Sequence, residues 1–229
     1  MSLVADRVFE DVRGGGLLVV PLGATEQHGP HLPLSTDTDI AVAIASRLSC
    51  AVDVAPALPY GASGEHQAFA GTLSIGQEAL GSVLVELGRS ATETFSRVLL
   101  LCAHGGNVEA VTRAVEHLRE EDRDVRAWNP AECWRGDAHA GWVETSVMLA
   151  LDPDHVDLSR AAPGNPQPIA ELMSELRHGG VAAVSVNGVL GDPLGATATD
   201  GERLLDDAAR ALTAAITDWP PRNDARIWL

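Results

Sequence analysis

The chain has 229 residues, 45% of them hydrophobic, which is enough to bury one sizeable core. Its formal net charge of -16 opposes binding to nucleic acid or to an anionic membrane, because both partners require a basic surface. The apolar run 98–103 is far shorter than the roughly 20 residues of a membrane span, and the acidic N-terminal stretch does not have the pattern of a signal peptide. We therefore expect one soluble, cytoplasmic domain that spans residues 1–229.

Helices and strands are predicted to alternate along the chain. In chain order the predicted elements are strand 17–22, helix 38–48, strand 52–55, a long polar loop 58–76, helix 78–95, strand 97–102, helix 108–120, strand 125–128 and a final helix 200–217. The strands are almost continuously apolar, which is typical of a parallel sheet that is covered on both faces. The sequence therefore predicts an α/β fold, a three-layer α/β/α sandwich with a mostly parallel central sheet.

The three cysteines, Cys50, Cys102 and Cys133, are widely spaced and odd in number. They form no Cys-x-x-Cys motif, which would indicate a redox or metal site. We expect buried free thiols in a reducing compartment.

A turn-rich loop with three candidate metal ligands follows the first long strand. Within residues 23–37 it contains Glu26, His28 and Asp37. If the chain is extended at Glu26 to His28, the strand period of two places both side chains on one face, and the following residues can bring Asp37 back to them. Such a long loop is uncommon in a compact domain unless it is functional. Carboxylates and an imidazole suit zinc, iron or manganese better than calcium, so the loop predicts a metal site.

Further candidate side chains follow three other predicted strands. They are Ser63, Glu65 and His66 after strand 52–55, His104 and Asn107 with Gly105 and Gly106 between them after strand 97–102, and His139, Trp142 and Glu144 after strand 125–128. The carboxyl ends of parallel strands meet at one edge of a sheet, so we expect these residues to gather there. Two readings stay open, since a His-Gly-Gly-Asn turn is often only a strand–helix connection and a tryptophan is often only core.

Several motifs together resemble the creatininase family of metal-dependent amidohydrolases. They are Glu26-x-His28, Asp37, His104-Gly-Gly-Asn107 and His139-Ala-Gly-x-x-Glu144-Thr-Ser, within residues 17–151. Segments 56–76 and 181–198 are similar to family members that act as peptidases in mycofactocin biosynthesis.

The resemblance implies two divalent ions per chain, zinc plus iron or manganese. The implied ligands are Glu26 and His104 on one ion, His28 and a second glutamate on the other, and Asp37 as the bridge. Creatininase itself carries a glutamate where this chain has Gly106. We expect Glu144 to replace that glutamate as a ligand.

The resemblance also suggests catalytic roles. We expect His139 to orient the substrate or to relay a proton to the departing nitrogen, since histidine titrates near neutral pH, with Glu65 as the second candidate for this role or for binding an amine. The amide groups of Gly105 and Gly106 are placed to assist a developing oxyanion. The further expected substrate contacts are Ser63, Asn107 and Trp142.

The implied reaction removes the C-terminal Val-Tyr dipeptide from a modified precursor peptide. One alternative is the hydrolysis of a small cyclic amide or a formamide, and another is a non-catalytic module that binds a phosphate or a nucleotide at the turn 104–107. Family members are expected to assemble as homo-oligomers.

Overall fold

The computed structural model describes residues 2–134 and 138–229. Its central sheet consists of β1 (Ser2–Leu3), β2 (Leu17–Leu22), β3 (Asp53–Val54), β4 (Arg97–Cys102) and β5 (Val125–Trp128). These strands pair in parallel throughout, in the order β1-β3-β2-β4-β5. The predicted parallel sheet is confirmed, while the short edge strand β1 was not predicted.

Helices cover both faces of the sheet. The longer ones are α1 (Thr36–Ser46), α2 (Gly76–Ala91), α3 (Val108–Glu120), α4 (Trp142–Leu151), α5 (Ile169–Gly179) and α7 (Ala198–Thr217), with the short α6 (Val181–Val184) between the last two. On one face, Leu18 and Val20 of β2 pack with α2 and α3. On the other face, Leu17 and Val19 pack with α1, α4 and α7. Alternate residues of β2 thus belong to two cores on opposite faces of the sheet, and the predicted three-layer sandwich is confirmed.

Most predicted elements are found, with differences at their ends. Strands β2, β4 and β5 and helix α3 have the predicted bounds. Helix α1 begins at Thr36, two residues earlier than predicted, so that Asp37 lies in its first turn, where the helix dipole favours a negative charge. Helix α2 ends at Ala91 and not at Phe95, because the chain turns at Thr92 and brings Phe95 into the core.

Helices α4, α5 and α6 were not predicted. The sequence of α4 is apolar almost all round, because the helix is packed among the sheet, α1 and α7, and such a helix lacks the 3.6-residue alternation that reveals a surface helix. Helix α5 buries only Leu172. None of the helices in the described ranges combines the length and the apolar composition that a membrane span requires. The assignment of residues 1–229 to a single domain stays a prediction.

The packing of α7 on α4 fixes the position of the helix that carries Glu144. Gly201 of α7 lies against the backbone of α4 at Ser146, and a Cβ added to this glycine would stand 1.9 Å from the Ser146 carbonyl oxygen. Glu144 lies half a turn away on the same helix α4. The absence of a side chain at Gly201 therefore sets how closely α7 holds the helix that carries Glu144.

Replacing Gly201 should separate these two helices. We expect Gly201→Ala to lower the free energy of unfolding by about 1–3 kcal/mol, since backbone atoms must move to admit the methyl group. Gly81→Ala in α2 is the control, because a Cβ there meets nothing within 4 Å, and it should raise stability by up to about 1 kcal/mol. Urea denaturation of the three proteins measures both effects. Equal stability of Gly201→Ala and the wild type would contradict the packing argument.

Candidate metal centre

Five of the predicted side chains meet at the carboxyl edge of the sheet. Glu26 and His28 follow β2, Asp37 lies in the first turn of α1, His104 follows β4, and Glu144 lies in the first turn of α4. Two groups of them have ligand atoms within 4.8 Å of one another, namely Glu26, Asp37 and His104, and His28, Asp37 and Glu144. Asp37 belongs to both groups. The structure therefore brings together the whole predicted ligand set.

Asp37 faces a different histidine with each carboxylate oxygen. Its Oδ1 lies 3.2 Å from Nε2 of His28, and its Oδ2 lies 3.3 Å from Nδ1 of His104. Asp37 and both histidines are buried. This arrangement is the one that a carboxylate bridging two adjacent ions requires.

His28 is oriented by the backbone. Its Nδ1 lies 3.2 Å from the carbonyl oxygen of Glu26, to which an N–H at this position donates. The other nitrogen, Nε2, is hydrogen-bonded to Asp37 Oδ1 at 3.2 Å, with Glu144 Oε2 at 4.0 Å, and it would offer its lone pair to an ion that displaces its proton. A histidine held by a hydrogen bond on one nitrogen is a common form of metal ligand.

The donor set fits a divalent cation. Among the described residues, both carboxylate oxygens of Glu26 and Oδ2 of Asp37 are buried without a hydrogen-bond partner. The nearest imidazole nitrogens stand 3.1 Å from Glu26 Oε2 and 3.3 Å from Asp37 Oδ2, without hydrogen-bond geometry. Ligands of a tetrahedral ion with bonds of about 2.0–2.2 Å are themselves about 3.3 Å apart. Donor atoms that converge at this spacing fit a shared divalent cation that displaces the histidine protons.

The electrostatics of the cluster favour positive charge. Burial opposes the charge on His28, but the carboxylate of Asp37 outweighs it and raises the pKa of His28 to about 10. Burial likewise opposes the charge on His104, whose pKa the carboxylates of Glu26 and Asp37 raise to about 9. Burial raises the pKa of Glu26. In the absence of an ion the cluster therefore retains protons, and a divalent cation would displace them.

His139 lies at the edge of the cluster. Its Nε2 is 2.9 Å from the carbonyl oxygen of Gln27, and its Nδ1 is 3.9 Å from Glu26 Oε1. Burial lowers the pKa of His139 well below its ordinary value, so the imidazole is neutral. Glu26, His28 and His139 also form a group that could hold a metal. The geometry thus suits both proton transfer and ligation by His139, but the expectation that its pKa lies near neutral pH is not met in the ion-free cluster.

Gln27 is the important residue that the sequence reasoning missed. It lies between the two ligands of the Glu-x-His pair, and its Nε2 is 2.8 Å from Nδ1 of His66, 3.0 Å from Nε2 of His139 and 3.2 Å from the Gly188 carbonyl oxygen. The strand period that puts the two ligands on one face puts Gln27 on the other, which was the available signal. Gln27 therefore positions His66 through its side-chain amide and His139 through its backbone carbonyl oxygen, and His66 Nε2 reaches 3.3 Å from Glu26 Oε1.

The other predicted contacts divide into two groups. Ser63 Oγ lies 3.4 Å and Glu65 Oε1 lies 3.7 Å from His104 Nε2, and Gly105 and Gly106 line the same opening. Asn107 and Trp142 are engaged elsewhere. Asn107 Oδ1 accepts from the amide of Ala62 at 2.8 Å and its Nδ2 donates to the Gly23 carbonyl at 2.9 Å, while Trp142 Nε1 donates to the Gly195 carbonyl at 3.3 Å.

Two cavities open onto the cluster. The Glu65 cavity has a volume of about 910 Å³ and is lined by residues that include Glu65, Gln77, Gly106, Met173, Leu176 and Val181. The Trp134 cavity has a volume of about 690 Å³ and is lined by residues that include Asn129, Pro130, Trp134, Glu144, Pro168 and Asp192. Volumes of this size are typical of sites that enclose organic ligands.

Comparisons with known proteins add independent findings. The creatininase family model, described as creatinine amidohydrolase, matches residues 5–216. A protein of Mycolicibacterium smegmatis named mycofactocin precursor peptide peptidase is 50% identical over 213 residues, which cover 90% of this chain and 86% of that protein. A protein of Mycobacterium tuberculosis with the same name is 49% identical over 222 residues, which cover 92% of this chain and 88% of that protein. A mutant creatininase of known structure shares the fold, with a TM-score of 0.82 at 24% identity over 96% of this chain and 100% of that chain.

Removing the Asp37 carboxylate, which both ligand groups share, should lower the metal content of the centre. We expect the purified protein to hold about two divalent ions per chain and Asp37→Ala to lose at least one, because both ligand groups contain Asp37. Asp39→Ala is the matched control on the same helix, since Asp39 accepts a hydrogen bond from Ser35 and belongs to neither group. Elemental analysis on chelator-free samples measures the content. Unchanged metal content in Asp37→Ala would contradict a bridging role.

Proposed function

Because this chain belongs to the creatininase family, we propose that it is a metal-dependent hydrolase that cleaves an amide bond in a peptide. The proposal is carried by the buried cluster around Asp37, where carboxylate oxygens without hydrogen-bond partners among the described residues face imidazole nitrogens. Buried carboxylates without partners lower the stability of a fold. A donor set of this kind is therefore better explained by a bound ligand than by core packing.

Five residues are proposed to hold two ions at this centre: Glu26, His28, Asp37, His104 and Glu144. Zinc with iron or manganese suits these oxygen and nitrogen ligands. When bound, divalent ions at such a centre polarise the scissile carbonyl and activate water for attack. Other residues of the chain would bind the peptide, orient it and transfer protons.

His139 is proposed to move the proton that the departing nitrogen needs. Its Nε2 is engaged with the Gln27 carbonyl oxygen at 2.9 Å, so Nδ1 faces the cluster with a free lone pair. From this position Nδ1 can accept a proton from the attacking water and pass it to the nitrogen of the breaking bond. Gln27 keeps the ring in the required orientation.

The relatives that share half of the sequence supply the substrate hypothesis. They are named as peptidases of the mycofactocin precursor peptide, and we propose the same substrate class here, with release of the C-terminal Val-Tyr dipeptide from the modified precursor. The two cavities support a peptide, because a chain that passes the cluster needs room on both sides of the scissile bond. A small cyclic amide would fill neither cavity.

The binding-module alternative leaves the donor set unexplained. A phosphate at the turn 104–107 would not require the buried group of Glu26, Asp37 and His104, whose donor atoms lie within 4.8 Å of one another. We further propose that the protein works in the cytoplasm as a homo-oligomer. Its three cysteines form no disulfide, which suits a reducing compartment, and the homo-oligomer is an expectation carried over from the family resemblance.

Replacing His139 separates the two roles that its geometry permits. We expect His139→Ala to retain about two ions and to lose roughly 10²–10⁴-fold in kcat, since a positioned proton-transfer group contributes about that much. His117→Ala is the control, because His117 lies on the exposed face of α3 beside Glu121. Metal analysis and kinetics on the same samples give both readouts. Loss of metal along with activity would make His139 a ligand.

The substrate class is tested by a direct comparison. We expect the metal-loaded protein to hydrolyse a precursor peptide that ends in the modified Val-Tyr pair and to leave creatinine intact, because two cavities of about 910 and 690 Å³ open onto the cluster. Mass spectrometry follows the peptide products, and a colorimetric assay follows creatine. The metal-depleted Asp37→Ala protein is the blank. Turnover of creatinine without cleavage of the peptide would refute the peptidase proposal.

A further inference from the structure

The two cavities meet at the cluster and not at a distance from it. They share six lining residues, which are His104, Gly105, Ala138, His139, Ile169 and Leu190. A peptide that is cleaved at the cluster can therefore leave one product in each cavity. One of these products carries the new amine, and the other carries the new carboxylate. The two cavities should therefore differ in the chemical groups that they present to these two products.

Glu65 lines one of the two cavities and not the other. Its Oε1 lies 3.7 Å from His104 Nε2, its side chain is 32% exposed, and it lines the Glu65 cavity. The contact with His104 is longer than a hydrogen bond, and no described residue donates a closer one to this carboxylate. Glu65 therefore presents a carboxylate to the cavity directly beside the reacting centre.

The position of this carboxylate depends on the glycine at residue 106. A Cβ built on Gly106 would stand 2.4 Å from Glu65 Oε1, 2.4 Å from His104 Nε2 and 2.5 Å from the Ala62 carbonyl oxygen. Real Cβ atoms do not approach other atoms so closely. Any side chain at residue 106 would thus take the space in which the Glu65 carboxylate lies.

Neither the backbone at Gly106 nor the backbone at Glu65 can move away to make room for a side chain at residue 106. The Gly106 carbonyl oxygen accepts a hydrogen bond of 2.6 Å from Nε2 of Gln77. On the other side, Gly180 packs on the backbone of Glu65, since a Cβ there would stand 2.5 Å from the Glu65 carbonyl oxygen, and its φ of +67° favours glycine. Two glycines therefore allow the loop of Glu65 to be packed between the turn of Gly106 and the end of helix α5.

We propose that the Glu65 cavity receives the amine-bearing product and that Glu65, in the space left by Gly106, binds its ammonium group. The inference rests on the proposed peptidase function. In that reaction the C–N bond breaks, the oxygen of water adds to the carbonyl carbon, and the new acid passes its proton to the amine. The products at neutral pH are a carboxylate and an ammonium. A carboxylate at the amine side pairs with the charge that appears there.

The rest of the Glu65 cavity suits an apolar C-terminal product. Its wall on the side of α5 and α6 includes the apolar residues Met173, Leu176 and Val181, beside Arg177 and His178. Methionine and leucine adapt to irregular apolar and aromatic groups, such as valine and tyrosine side chains. Helix α5 is held to the fold through Leu172, which packs with Val181 and Leu190. Glu65 at the inner end and this wall together select a short peptide with a free amine.

The test compares two probes for the cavity, the dipeptide Val-Tyr and its N-acetyl derivative. We expect the metal-loaded protein to bind Val-Tyr about tenfold more tightly, as measured by calorimetry, because only the free ammonium pairs with Glu65. Glu65→Gln, which keeps the shape of the side chain, should abolish this preference. Gly106→Ala should abolish it too, since the added methyl group displaces the carboxylate, and its metal content is measured on the same sample because the methyl group also meets His104.

Gly81→Ala is the control, because its new methyl group meets nothing within 4 Å and lies on α2 outside both cavities. It should keep the full preference for Val-Tyr. A preference that persists in Glu65→Gln would show that the ammonium is bound elsewhere, for example at a metal, and would overturn the inference. Equal binding of both probes by the wild type would overturn it as well. Failure of the wild type to cleave the precursor peptide is a separate result, and it would refute the proposed function alone.

Discussion

Burial of several carboxylates at one edge of a parallel sheet is the constraint on which the rest of the structure depends. Asp37 and Glu26 are almost entirely removed from water, and such charges are costly unless cations and dipoles compensate them. Histidines supply part of the compensation. The N-termini of α1 and α4 supply another part, because Asp37 and Glu144 lie in their first turns, where the helix dipole is positive. A bound cation would complete the balance, and the buried carboxylate oxygens without hydrogen-bond partners among the described residues are placed to receive one.

The fold could be predicted largely from the sequence because its strands are apolar on both faces. Strands β2, β4 and β5 read as continuous hydrophobic runs, which only a sheet covered on two sides requires. The same physical situation hid α4, since a helix that is surrounded by other elements loses its polar face. Burial on all sides therefore makes a strand easy to recognise and a helix difficult to recognise.

The candidate site could be predicted in its local parts but not in its tertiary contacts. The Glu-x-His spacing correctly put Glu26 and His28 near each other, because strand geometry acts over a few residues. The roles of Asn107 and Gly106 depend on the approach of the loop at residues 61–66, which no local pattern encodes. Asn107 was expected to contact substrate, and its amide instead ties the backbones of Gly23 and Ala62 together.

The loops of the site are held by polar cross-links, whereas the layers beneath them are held by apolar packing. Besides Asn107, Gln27 reaches the Gly188 carbonyl oxygen and His31 bonds to Thr145 at 2.9 Å. Each such hydrogen bond contributes about 1 kcal/mol net, but leaving a buried partner unsatisfied costs about 1–3 kcal/mol. The loops are therefore held by contacts that are separate from the two cores on the sheet faces. On the proposed role of Glu65, a substitution at a loop position such as Gly106 would change the product that the site accepts, while the cores beneath it keep their packing.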